Sequence, residues 1–203
     1  MKINSSTFSS KLDKEFQNVS NLITEDLIRH WFIKDQKFNV GNVEIEKQYN
    51  LLNKKANNIT ISDHSRIDLF YNSDNTAIEF KFHRKTKNSD NCSATKAGSL
   101  FRDFNRLSLL DYEDKYVVYV LDNQMLKYYK NNQAYQQVVS NLINKKTVSN
   151  LDFHNMNICR EFSKVAFSSF SAKIFSQFNY NVKIEYEMQL DGGNYHLIIF
   201  RIF

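Results

Sequence analysis

Proline is absent from this 203-residue chain, glycine occurs four times and cysteine twice. Sharp turns must therefore come from the many Asn, Asp and Ser residues, whose short side chains bond nearby backbone. Cys92 and Cys159 lie far apart and form no Cys-x-x-Cys or Cys/His cluster. That speaks against a disulfide scaffold and a structural zinc site, and free thiols are expected. No run approaches the roughly 18 consecutive apolar residues of a membrane span. Met1 to Ser6 also lacks the apolar stretch of a secretion signal, so the expectation is a cytoplasmic protein without membrane contact. So few glycines leave no P-loop, no dinucleotide-binding loop and no Gly-x-Ser-x-Gly elbow, which argues against ATP-driven, nicotinamide-dependent and serine-nucleophile chemistry.

What the chain has is aromatic mass and a modest positive charge. Seventeen Phe and eleven Tyr, in a chain 42% hydrophobic, supply ample material for one packed interior. One domain spanning 1–203 is the expectation. A net charge of +5 makes a polyanionic partner such as nucleic acid plausible without demanding one. No internal repeat of fixed period is present, and stretches such as Asn53 to Asn58 read as solvated loop.

Thr24 is a good N-cap for a helix with Glu25 and Asp26 in its first turn and Leu27, Ile28, Trp31 and Phe32 on an apolar face. Val43 to Tyr49 alternates like a half-buried strand. Arg66 to Tyr71 and Thr76 to Phe82 are two more strands, joined by the turn chemistry of Asn72-Ser73-Asp74-Asn75 into a hairpin. Thr95 begins a helix to about Leu110, and Tyr116 to Leu121 reads as a fully buried strand. Further on, Gln133 to Lys145 and Arg160 to Phe178 look helical, and Val182 to Leu190 with Tyr195 to Phe203 form a second hairpin. The order suits an α/β (α+β) fold, a mixed β-sheet flanked by helices and closed by a C-terminal β-hairpin.

The chemistry concentrates on the first hairpin. Glu79 and Lys81, two apart on one strand, leave the same face, while Ile78, Phe80 and Phe82 leave the other. Asp68 sits on the partner strand, where hairpin pairing brings it beside Glu79. Two carboxylates and an ammonium on rigid strands suit a hard divalent cation. Phosphodiester hydrolysis needs an attacking hydroxide and neutralisation of phosphoryl charge, which such a site can supply, with Lys81 orienting the water or offsetting developing charge.

The segments Ser65 to Phe70, Ala77 to Phe82 and Lys96 to Phe104 together resemble the PD-(D/E)XK, or restriction-endonuclease-like, nuclease superfamily. The resemblance covers roughly Thr24 to Leu121, with Ile67 where the family's name has Pro and no Gln-x-x-x-Tyr following. It implies a restriction-endonuclease-like core over about 22–121, a C-terminal extension over about 133–203, and a metal-dependent nuclease, DNA favoured, of the restriction or phage-defence kind. It further implies Asp68 and Glu79 as ligands of Mg²⁺, with Mn²⁺ able to substitute, and Lys81 as the catalytic lysine. Glu25 is then a further metal- or water-positioning group, and Lys96 and Arg102 are phosphate contacts. Arg66 on the first catalytic strand joins these as a nucleic-acid contact. Arg84 and Lys85, in the basic run that follows Lys81, would sit at the mouth of the cleft.

Plainer readings stand beside this one. Glu113-Asp114-Lys115 is a second Glu-x-Lys at a turn, without the strand setting. Acids at a helix start are routine dipole partners, and His64 and His83 at strand ends suit structural roles. Tyr128, Tyr129 and Tyr135 fit core packing better than base stacking. The alternative function is a non-catalytic nucleic-acid- or protein-binding module on the same fold, with the C-terminal region open to homodimer or partner-protein contact.

Overall fold

A computed structural model describes residues 3–19, 22–48, 66–84, 90–131, 147–148, 160–166, 168 and 180–203. The expected helix at Gln133 to Lys145, the loop Asn53 to Asn58, and His64, Ser65, Lys85, Tyr135 and Cys159 lie outside the described residues.

Two helices open the chain, α1 (Ser5–Val19) and α2 (Glu25–Gln36), followed by strands β1 (Val43–Gln48), β2 (Arg66–Tyr71) and β3 (Thr76–His83). Helix α3 (Asp90–Ser108) leads to β4 (Asp114–Asp122) and α4 (Asn123–Asn131). The rest comprises β5 (Thr147–Val148), α5 (Arg160–Ala166), β6 (Val182–Leu190) and β7 (Tyr195–Ile202). The strands form one seven-stranded sheet in the order β1-β2-β3-β4-β7-β6-β5. Among the described residues only β3 and β4 pair in parallel, joined through α3, and every other pairing is antiparallel. A mixed sheet flanked by helices, closed by the β6–β7 hairpin, is the architecture expected. No described helix is long and apolar enough to cross a membrane.

The sheet is covered on both faces, which explains why β4 reads as an unbroken apolar run. Tyr116, Val118 and Val120 enter a core with Phe8, Leu12, Phe16, Ile28 and Phe32 from α1 and α2. Val117, Tyr119 and Leu121 enter a second core with Leu100, Phe101, Phe104 and Leu107 from α3 and Phe162 from α5. A strand buried on both sides loses the period-two alternation that marks a half-exposed one.

Thr24 caps α2 as expected, its Oγ1 accepting from the Leu27 N–H at 3.3 Å. Leu27 itself faces outward; Ile28 and Phe32 carry the buried face. Three elements went unread in sequence, α1, α4 and the two-residue β5. Helix α3 begins at Asp90, before the expected cap at Thr95. Strand β1 departs furthest from expectation. It is an edge strand, largely exposed, with Ile45 open to solvent at 53%, because no neighbour beyond β1 covers it among the described residues.

Gly98 marks a close approach between α3 and α5. A Cβ there would lie 2.7 Å from the Phe162 carbonyl oxygen and 3.1 Å from Val165 Cβ. Gly→Ala in a helix ordinarily stabilises by roughly 0.5–1 kcal/mol. Here the obstructing atom is backbone, so Gly98→Ala is expected to destabilise by about 1–3 kcal/mol, read as a lower urea midpoint with unchanged slope.

Candidate active site

Strand β3 pairs with β4 along its whole length, Thr76↔Asp114 to His83↔Leu121. On its other side the ladder to β2 stops after Leu69↔Ile78. Beyond that point two side chains take over the work of a strand. Asp68 Oδ2 accepts the Phe80 N–H at 2.7 Å, and Glu25 Oε2, from the first turn of α2, accepts the Phe82 N–H at 3.0 Å. Buried backbone donors must be paired, so the parting of β2 and β3 is held open by two carboxylates rather than left unsatisfied.

Asp68 is where β2 bends. Ile67 enters the core against α3, whereas Leu69, two residues on, enters the core against α1 and α2. A regular strand would put both on one face, so alternation fails at the residue between them. The β1–β2 ladder also skips this position, for Ile45↔Leu69 and Lys47↔Ile67 pair but Glu46 and Asp68 do not. Glu46 there adopts φ of 53°, a left-handed conformation that costs a non-glycine residue about 1 kcal/mol. Its carboxylate accepts from Arg29 Nη1 at 2.6 Å, and that guanidinium lies 3.9 Å from Asp68 Oδ1.

Glu79 and Lys81 leave the α3 face of β3, as their spacing requires, while Ile78 and Phe80 are fully buried on the other and Phe82 packs beside them. That face is not open to solvent. Glu79 is 2% exposed, beneath α3. Its Oε1 lies 3.7 Å from Arg106 Nη2, and Lys81 Nζ lies 3.1 Å from Asp103 Oδ2 and 3.6 Å from Glu25 Oε1. Asp103 and Arg106 approach each other at 3.4 Å. An acid–base pair on the strand thus meets an acid–base pair on the helix crosswise.

Burial pushes the Glu25, Asp68 and Glu79 carboxyls above their ordinary values. For Glu79 the negative charges of Asp68 and Asp103 add to the rise, and Arg106 and Lys81 offset part of it. The Asp68 and Glu79 carboxyls act directly on one another, the Asp68 charge raising Glu79 and a Glu79 hydrogen bond holding Asp68 down. Two desolvated carboxyls so close cannot both carry unshared charge cheaply; they share a proton or a cation. Burial alone would lower the Lys81 ammonium, but Asp103, then Glu25, Glu79 and Asp68, outweigh it and raise Lys81 above the usual lysine range. Lys81 is accordingly a fixed positive charge and donor, not a neutral amine base.

Among the described residues no group of three or more Asp, Glu, His or Cys side chains is arranged to hold a metal ion. Asp68 and Glu79 offer two carboxylates to a cation. That donor set fits Mg²⁺, which commonly binds one or two carboxylates and keeps several waters.

The other expected residues scatter. Arg66 is exposed at the start of β2, with its carbonyl accepting from Arg106 Nη2 at 2.6 Å. Arg84 donates to the Ile23 carbonyl at 3.0 Å and lies over the Phe82 ring, and Lys96 donates to the Arg84 carbonyl. Arg102 Nε sits 3.8 Å from Asp103 Oδ1. His83 is buried between Tyr119 Oη and Ser99 Oγ, each 3.1 Å away, and burial lowers it to about 3. The competing Glu-x-Lys stands elsewhere, with Asp114 bound by Arg201 at 2.6 Å.

Sequence reading missed Arg29, Glu46, Asp103 and Arg106. Signals existed for two. Arg29 is one helical turn after Glu25 and so shares its face. Asp103 stands three residues after Leu100 and four before Leu107, a carboxylate on an apolar stripe.

Compared with known proteins, the chain matches no family model, no curated protein and no solved structure.

Proposed function

We propose that this protein is a divalent-metal-dependent nuclease of the restriction-endonuclease-like kind, hydrolysing phosphodiester bonds with DNA the favoured substrate. The observation that carries this reading is the parted β2–β3 hairpin. It presents Asp68 and Glu79 to one another, with Lys81 on the same strand and Glu25 arriving from α2. A mixed sheet with helices on both faces and a catalytic-type hairpin beside the parallel β3–β4 pair is compatible with that fold.

A Mg²⁺ or Mn²⁺ ion would be held by Asp68 and Glu79, and when bound would supply an activated water and neutralisation of phosphoryl charge. Lys81 contributes a preorganised positive charge for the pentavalent phosphorus centre and its departing oxygen. Because it is held as an ammonium, its contribution is orientation and charge stabilisation. Glu25 fixes the open edge of β3 through the Phe82 N–H and lies beside Lys81, on the more exposed side of the site. Lys96 and Arg102 are assigned to nucleic-acid contact by resemblance, and Arg66, Arg84 and Lys85 by their charge on or just after the catalytic strands. Arg84 and Lys96 would have to leave their internal carbonyl partners to serve there.

The test is incubation of the purified chain with supercoiled plasmid, linear duplex and single-stranded DNA, and with RNA, in Mg²⁺ or Mn²⁺. Cleavage is expected with metal, none with EDTA, and none from folded Asp68→Ala or Lys81→Ala protein. Undiminished cleavage by either variant would reject the proposal. Salt-sensitive binding without turnover on every substrate would instead favour a non-catalytic binding module.

A further inference from the structure

The buried carboxylate of Asp103 has no place in the resemblance, yet it makes the shortest ion pair of the strand lysine. It is 0% exposed, at a helix position flanked by the core residues Leu100, Phe104 and Leu107. Burying a carboxylate among apolar side chains is costly unless it is paired. Its partners are Lys81 Nζ at 3.1 Å, Arg106 Nη1 at 3.4 Å and Arg102 Nε at 3.8 Å. Among the described residues Asp103 Oδ2 carries no hydrogen bond beyond this ammonium contact.

The flexible four-carbon stem of a lysine does not by itself fix where its ammonium sits. Glu79, two residues before it, is engaged by Arg106 from α3. The ammonium has the Phe80 carbonyl at 3.1 Å, Glu25 at 3.6 Å and Asp103 at 3.1 Å. Glu25 is 40% exposed at its side chain, so Asp103 is the rigid partner and Glu25 the solvated one.

We propose that Asp103 is the positioning residue of Lys81, fixing its ammonium beside the facing carboxyls of Asp68 and Glu79 from the α3 side. The proposal rests on the nuclease reading of the site. A group that must meet a phosphate tolerates little displacement, since a misplacement of about 1 Å can lower a rate on the order of 10²-fold. A helix that carried Asp103 only to anchor itself on the sheet would gain as much from a well-packed apolar residue.

Two measurements separate the outcomes. In the wild-type chain, proton–proton NOEs between Lys81 Hε and Asp103 Hβ, and a slowly exchanging Lys81 NζH₃⁺ signal, are expected; Lys81→Met assigns the signal by its loss. Asp103→Asn should abolish that signal while Glu25→Gln leaves it. Plasmid cleavage in Mg²⁺ should fall about 10²-fold in kcat at nearly constant KM in Asp103→Asn, with partial recovery in Asp103→Glu. Absence of the wild-type NOEs overturns the proposal and needs no variant to fold. Wild-type kcat in folded Asp103→Asn overturns it as well. A wild type that shows the contact but cuts no nucleic acid overturns the nuclease reading, and with it any catalytic purpose of the contact. One that cuts without the contact overturns the positioning alone.

Discussion

Glu79→Gln is expected to abolish cleavage and, at neutral pH, to make the protein more stable. The first effect follows from losing one of the two proposed metal ligands. Metal assistance contributes several kcal/mol, which at about 1.4 kcal/mol per decade is a loss on the order of 10³-fold or more. The second follows from burial. Glu79 is almost fully enclosed, and desolvation first, then Asp68 and Asp103, raise its carboxyl well above its ordinary value. A carboxyl raised on folding binds its proton more tightly in the native state. Above the ordinary carboxylate range it therefore opposes folding, and the penalty fades as pH falls to and below that range. Gln escapes the penalty. Arg106 keeps Asp103 and the Arg66 carbonyl as partners. If the relief is about 1 kcal/mol, Tm should rise by about 2–4 °C at pH 7, with the advantage shrinking toward pH 4.5. Differential scanning calorimetry across pH decides this without any substrate, and a lower Tm at pH 7 would contradict it.

Arg106→Met should act in the opposite direction and more strongly. Arg106 is 8% exposed and stands between Glu79 and Asp103, while also donating to the Arg66 carbonyl that begins β2. Met matches its bulk but leaves two buried carboxylates short of a cation. Breaking a buried ion pair on one side typically costs 3–5 kcal/mol, because the remaining charge is stranded. Removal of the guanidinium raises Glu79 further, so the loss should be greatest at neutral pH and smaller under acid conditions, where the proton replaces the missing cation. Combining Arg106→Met with Glu79→Gln should recover part of the loss. Urea midpoints of the two single variants and the double variant give the coupling directly, and strict additivity would show that the two side chains do not interact.

Stability and the proposed chemistry thus pull against each other at one place. Glu46 with positive φ, Asp68 at a bend in β2, and a ladder interrupted on both sides of that strand all lie within the same few residues. Local rules broken together around carboxyls that burial has raised are what a functional site on a rigid sheet looks like.

Much of the fold was legible in the residue pattern. The Thr24 cap, the Asn72–Asn75 turn between alternating strands, the apolar run of β4 and the hairpin around Asp191–Gly193 are local signals, written in neighbours along the chain, and the structure places these elements within a few residues of the expected bounds. The spacing of Glu79 and Lys81 likewise placed both on one face of β3. Helix α1 carried only a narrow signal, Phe8, Leu12 and Phe16 at four-residue spacing behind a serine-rich first turn, and it went unread. Strand β1 misled because alternation does not reveal whether a strand has a neighbour on both sides.

Sequence alone determined that Asp68, Glu79 and Lys81 belong to one hairpin, because turn chemistry and a period of two act between residues near in the chain. Only the tertiary structure decided that the hairpin parts at Asp68, that Glu25 takes up the backbone donor left behind, and that Asp103 and Arg106 close over the strand pair. Those contacts join residues 12 to 57 positions apart, and their strength comes from a burial that no stretch of sequence carries by itself.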